Sequence, residues 1–288
     1  MWQLLALAAA LLTSTLPILN KRLLADAPVS VVVWAVNFFS LPVLGAAAFV
    51  FWPPATVDSI FWLGVTGSAL LNLVAAILST QALKWADASL VTPLLTFNPA
   101  FTLLVGAVML GEQPTHVGIL GVLLVIAGAY VLSAPAPTDG WWPGVKAFFE
   151  PAKVLAVVAS LVWGLTPIAE KLAIEHSQPM NPPAVAFGTT ALMSVLLLPS
   201  LLRPGIGVRN ALRGHPKGFV VAALVAGVAP VFGFSAIAAG PVGYVTAIFK
   251  LSSVFTVVLA IVFLGERGTR ARLVGSAVMA AGAWLIAG

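Results

Sequence analysis

Cysteine is absent, which excludes disulfide frameworks, thiol nucleophiles and thiolate metal sites. Charge is nearly as scarce: charged side chains make up 8% of the 288 residues, nine of them acidic. Soluble domains carry about a quarter. Three histidines, His116, His176 and His215, fall in or beside expected connections at no metal-ligand spacing, so they read as solvated loop residues and no metal or cofactor is expected. The Gly-x-x-x-x-Gly-Lys-[Ser/Thr] loop that cradles nucleotide phosphates is also missing.

What the chain has instead is apolar length. Hydrophobic residues make up 60% and the mean hydropathy is +1.07. Long apolar runs broken by short Gly/Pro/charged connections describe an all-α polytopic membrane protein, because each helical crossing takes about 20 residues. Barrel strands are about half that length. Ten spans fit, near 3–25, 29–52, 59–83, 88–110, 117–134, 153–175, 182–202, 218–237, 242–264 and 270–287. Met1-Trp2-Gln3 gives the first run no positive leader, so it reads as a retained span rather than a signal peptide. The net charge of +5 is spread through the connections, which argues against nucleic acid and for loops facing the cytoplasm.

The chain repeats itself. Val91–Glu112 aligns without a gap to Val245–Glu266, both ending in Leu-Gly-Glu, and the match runs on to Ala127-Gly128-Ala129 and Ala281-Gly282-Ala283. Pro17-Ile18 and Lys21 similarly match Pro167-Ile168 and Lys171. The expected domains are therefore a first five-helix repeat at 1–134, a linker at 135–152 with interfacial Trp141-Trp142 and Phe148-Phe149, and a second repeat at 153–288. Five is odd, so the two repeats have inverted topology. Of the fourteen Lys and Arg residues, twelve fall in the odd-numbered connections, leaving Lys171 and Lys250. The positive-inside rule then puts both termini on the non-cytoplasmic face of a cell (inner) membrane.

The stretches 82–132 and 237–287, with their doubled Gly-Glu and Ala-Gly endings, resemble the EamA-type transporters of the drug/metabolite transporter superfamily. The resemblance implies two fused five-helix repeats and transport rather than enzymatic activity. Family members often carry a proline near the middle of both fourth helices. Here the first repeat has Thr96-Phe97-Asn98-Pro99 and the second Lys250-Leu251-Ser252-Ser253. The family is also usually drawn with cytoplasmic termini, against the charge count.

Candidate substrate-binding residues come from helical spacing. Trp163, Pro167 and Glu170 share a face of span six, with Thr13, Pro17 and Asn20 as counterparts in span one. Thr246, Lys250 and Ser253 share a face of span nine, answered in span four by Thr92, Thr96 and Pro99. Lys250 either attracts a substrate carboxylate, pairing with Glu170 when the site is empty, or snorkels to the interface. Glu170 is either a proton-coupling carboxylate or a cap near its helix end. Asn98 is either a cavity residue or interhelical glue, and Trp34 is either an aromatic wall or packing. The seven-residue glycine spacings, Gly121 to Gly128 and Gly275 to Gly282, allow close helix packing between halves or between protomers, so a monomer and a homodimer both remain open. The function expected is secondary active export of a small metabolite, an amino acid or similar amphiphile, by alternating access at a central cavity between the repeats. A flippase for a lipid-linked metabolite is the alternative. A membrane enzyme lacks the paired carboxylates or His-Glu motif it would need at membrane depth.

Overall fold

A computed structural model describes residues 1–23, 27–52, 56–85, 94–133, 150–202, 207–264 and 270–287. The expected interfacial aromatics of the linker and the second Leu-Gly-Glu motif, at Glu266, lie outside the described residues. The helices are α1 (Trp2–Thr13), α2 (Leu16–Leu23), α3 (Val29–Ala46), α4 (Ser59–Trp85), α5 (Asn98–Met109), α6 (His116–Ser133) and α7 (Pro151–Glu175). They continue as α8 (Pro182–Leu201), α9 (Val208–Gly214), α10 (Pro216–Ala239), α11 (Val242–Phe249), α12 (Leu251–Leu264) and α13 (Arg270–Ala287). A wider π-type turn, Ala47–Phe51, ends α3. Strands β1 (Thr56–Val57) and β2 (Ser177–Gln178) pair antiparallel, Thr56 opposite Gln178.

Among the described residues, six helical segments are long and apolar enough to cross a membrane: Trp2–Asn20, Val29–Val50, Ser59–Ser79, Pro151–Glu175, Pro182–Leu201 and Pro216–Ala239. Four shorter apolar helices, Asn98–Met109, His116–Val131, Val242–Thr256 and Val274–Ile286, occupy the remaining expected spans. Large apolar side chains point outward, Leu4 at 71% exposed and Val108 at 86%. In water such a surface would aggregate; in a bilayer it meets lipid.

The spans differ from expectation in three places. Span one is cut after Thr13. Pro17 has no N–H for the Thr13 carbonyl, while the hydroxyls of Thr13, Ser14 and Thr15 bond back to Ala9, Leu11 and Leu12. Pro167, its counterpart, leaves α7 continuous. Span nine is cut at Lys250, and α5 begins only at Asn98, after a turn at Thr96-Phe97. The short helix α9, read as a connection from sequence, is amphipathic: Ala211 is buried while Arg209 and Arg213 are exposed.

The described contacts divide the chain into two compact units, and neither is a repeat. Unit 1 takes residues 1–69 and 169–239, and unit 2 takes 70–168 and 240–288. In unit 1, α10 packs along α1 and α3, and α3 also along α8. Its core includes Leu23, Val31, Val32, Ala35 and Phe219. Unit 2 is built on α6 against α13, and α5 against α11.

The glycine spacings explain the first of those seams. A Cβ on Gly121 would fall 2.7 Å from the Gly282 carbonyl oxygen, and one on Gly128 2.6 Å from that of Gly275. Of the two packings the spacing allowed, the one made is between the halves, within one chain.

Candidate functional site

Both fourth helices are interrupted at the same place in the repeat. In the first, Pro99 stands second in α5, a position that suits proline because its missing N–H has no acceptor there anyway. The turn before it is closed by Phe97 N–H to Leu94 and Ala100 N–H to Phe97. In the second repeat no proline marks the break, yet Lys250 N–H bonds back only three residues, to Ala247, and Ser253 N–H bonds to Lys250. Lys250, aligned with Thr96, thus caps the C-terminus of α11, where the aligned peptide dipoles favour a cation.

Six of the nine candidate residues belong to unit 2: Thr96, Asn98, Trp163, Thr246, Lys250 and Ser253. Thr96 is buried beside the first break. Asn98 opens α5 with its Oδ1 buried and lacking a hydrogen-bond partner among the described residues. Trp163 is half-buried on α7, next to Gly164, whose missing side chain lets α7 approach α5: a Cβ there would sit 2.8 Å from Phe101 Cβ and 3.1 Å from the Asn98 carbonyl. Thr246 is turned inward on its own helix, its hydroxyl 3.0 Å from the carbonyls of both Val242 and Gly243. Ser253 is half-buried on α12, and Lys250 is half-buried at the junction.

The other three lie in unit 1. Glu170 is 7% exposed and accepts a hydrogen bond from the Ser68 hydroxyl at 3.0 Å. Small residues make that contact possible, since a Cβ on Gly64 would fall 2.6 Å from the Ala169 carbonyl and 2.7 Å from Ala173 Cβ. Glu170 is therefore an internal carboxylate rather than a solvated cap. Trp34 stacks on Phe38, centroids 4.7 Å apart, and meets Phe39 edge-on. Its buried Nε1 and the Oδ1 of Asn20 have no hydrogen-bond partner among the described residues.

Sequence reasoning missed several residues. Ser68 carried no signal. Thr102, fully buried, places its hydroxyl 2.9 Å from the carbonyls of both Asn98 and Gly164, tying α5 to α7. Its identity with Thr256, which bonds back to Ser252, was the available clue. Thr189 on α8 buries an Oγ1 that lacks a partner among the described residues.

The first Leu-Gly-Glu motif does two jobs. Gly111 turns the chain at φ +66°, a conformation glycine adopts without strain. Both carboxylate oxygens of Glu112 then lie 3.0 Å from the Val242 N–H, capping α11 from the other half of the sequence. Beside it the Tyr244 hydroxyl accepts the Thr115 N–H at 2.7 Å.

At the connection end of unit 1, His176 is not a free loop histidine. Its Nδ1 lies 2.7 Å from Asp58 Oδ2, next to the β1–β2 pair. Asp58 also caps α4, accepting from Ile60 and Phe61 N–H. The Phe61 N–H above all, and then His176, hold its carboxyl below the usual carboxylate value.

Among the described residues, six helices long and apolar enough to cross a membrane and four shorter apolar ones, two of them bordering a break with polar residues, make this a polytopic membrane protein. The EamA-like transporter family matches residues 1–134 and again 151–288, and the chain belongs to that family. A solved crystal structure is similar over 99% of this chain and 98% of its own, with a TM-score of 0.78 at 20% identity, a likeness of fold. No curated protein matches the chain.

Proposed function

We propose that this transporter exports a small amphiphilic metabolite bearing a carboxylate, an amino acid or a similar compound, by alternating access about the interrupted fourth helices. The observation that supports this best is Lys250 at the break. A lysine at a helix centre costs about 2.5–3.5 kcal/mol on insertion scales, and the aligned position in the other repeat does without it as Thr96. Such a charge is retained where it has an anion to meet. Asn98 and Trp163 on the neighbouring helices of the same unit supply an amide and an aromatic face for the rest of the ligand.

Glu170 is the coupling group in this proposal. A buried carboxylate held by one serine hydroxyl can exchange a proton during the cycle, and the sequence has no nucleotide-binding loop to supply energy otherwise. The inner membrane, with both termini outside, is the setting that the Lys/Arg distribution supports.

Counterflow of labelled carboxylated metabolites in proteoliposomes tests the reading. Wild type and Lys250→Arg should exchange a carboxylate substrate while Lys250→Ala does not. Full exchange by Lys250→Ala at equal reconstitution defeats it. Scrambling of a labelled lipid without metabolite counterflow would give the flippase reading instead.

A further inference from the structure

Unit 1 has a cavity between α2 and the start of α10, lined by none of the nine candidate transport residues. It has a volume of about 320 Å³ and is lined by Leu19, Arg22, Leu23, His215, Lys217, Gly218 and Val221. We propose that it is a binding site for an anionic phospholipid, with the phosphate held by Arg22, His215 and Lys217 and an acyl chain laid along Leu19, Leu23 and Val221.

The chain places these groups for that task. Arg22 stands one residue before the end of α2, and Lys217 is the second residue of α10. Both fall in the odd-numbered connections, which by sequence hold twelve of the fourteen Lys and Arg residues. Arg22, His215 and Lys217 are all exposed, as headgroup ligands at a membrane surface need to be. Below them Leu23 is buried in the core of unit 1 against Phe219 and Val31, which fixes the floor. Gly218 leaves the mouth open while α10 packs on α2, since even a Cβ there would come 3.0 Å from Leu23 Cδ2.

The α10 N-terminus adds backbone N–H groups and the positive end of a 24-residue helix. The amphipathic α9 runs in just before it. Val208 and Leu212 pack on the same core, and Arg209 and Arg213 are exposed. Any phosphate would answer the cations. Only a lipid also uses the apolar floor, and basic pockets between spans on the positive side are where anionic headgroups are recognised.

The test uses the full-length protein in neutral detergent. It combines thermal shift with native mass spectrometry of retained lipid, titrating phosphatidylglycerol, phosphatidylcholine and inorganic phosphate. Phosphatidylglycerol should raise the melting temperature and stay bound, and phosphatidylcholine should not. Each of Arg22→Gln and Lys217→Gln should weaken it about fivefold, and the pair about 25-fold. Lys153→Gln, which removes a charge from another odd-numbered connection, at the Glu150 ion pair, should bind as wild type. Val221→Trp fills the floor without touching charge and should also lose the lipid, which keeps the proposal testable if the double variant does not fold. Equal shifts from phosphatidylcholine, equal binding by the double variant and Lys153→Gln, or wild-type retention by Val221→Trp would overturn the site. Reproduction of the whole effect by inorganic phosphate would make it a free-anion site and overturn the lipid.

Discussion

The glycine seam between α6 and α13 makes opposite predictions for two chemically identical substitutions. Gly121→Ala adds a Cβ that would lie 2.7 Å from both the Gly282 carbonyl oxygen and Ile286 Cγ1. Contacts of that kind sit near 3.5 Å at the least, so the helices must part by roughly 0.8 Å along a seam packed elsewhere to the same closeness. Overpacking of this sort costs about 1–3 kcal/mol, against which alanine returns up to about 1 kcal/mol of helix propensity. The net expectation is a loss of about 0–3 kcal/mol.

Gly67→Ala in α4 is the reference. Its Cβ would meet only Ala169 Cβ, at 3.8 Å, an ordinary contact, so propensity should dominate and the variant should be neutral to stabilised. At about 2–4 °C per kcal/mol, the two should melt several degrees apart in one detergent at one scan rate. Gly121→Ala melting with or above Gly67→Ala would refute the claim that the seam is closed by backbone contact. Gly121→Ala/Gly128→Ala should cost less than the sum of the singles, because one separation relieves both contacts.

Other outcomes can be checked alongside. Glu112→Ala removes the carboxylate that receives the N–H of buried Val242, leaving that donor unsatisfied; a loss of about 1–3 kcal/mol in the melt is expected, and an unchanged melt would dispose of the cap. Transport driven by a pH gradient should collapse in Glu170→Gln and survive in part in Ser68→Ala, whose carboxylate remains; gradient-independent transport in wild type would end the coupling proposal. Asp58 has a folded pKa below its unfolded value, so its contribution is complete above the unfolded value of about 3.9 and fades as pH falls through the folded one. The gap in melting temperature between wild type and Asp58→Asn should therefore close on acidification from neutral pH, and a gap independent of pH would count against the His176 and Phe61 contacts.

That the chain is a series of apolar helices was legible because each crossing demands a run of apolar residues, and the repeat because aligned identities such as Leu110-Gly111-Glu112 with Leu264-Gly265-Glu266 exceed shared hydrophobicity. The break after Thr13 was half legible, since a proline inside a helix removes a backbone hydrogen bond, but its repeat partner Pro167 sits in an unbroken α7. The break at Lys250 had no proline to announce it. Ser68 was invisible as the partner of Glu170, being one serine among many in apolar helices.

What the sequence determined by itself is the class: a charge-poor, cysteine-free chain of spans, built as two repeats, whose backbone must satisfy itself within helices. What only the tertiary structure decided is which faces meet. Lipid tails are as apolar as leucine, so a membrane helix carries no hydrophobic stripe naming its partner. Gly121 could have served a dimer as well as Gly282, and Glu112 could have faced water. Close packing chose the intramolecular seam and the Val242 cap, and it divided the chain into two units that cut across the repeats.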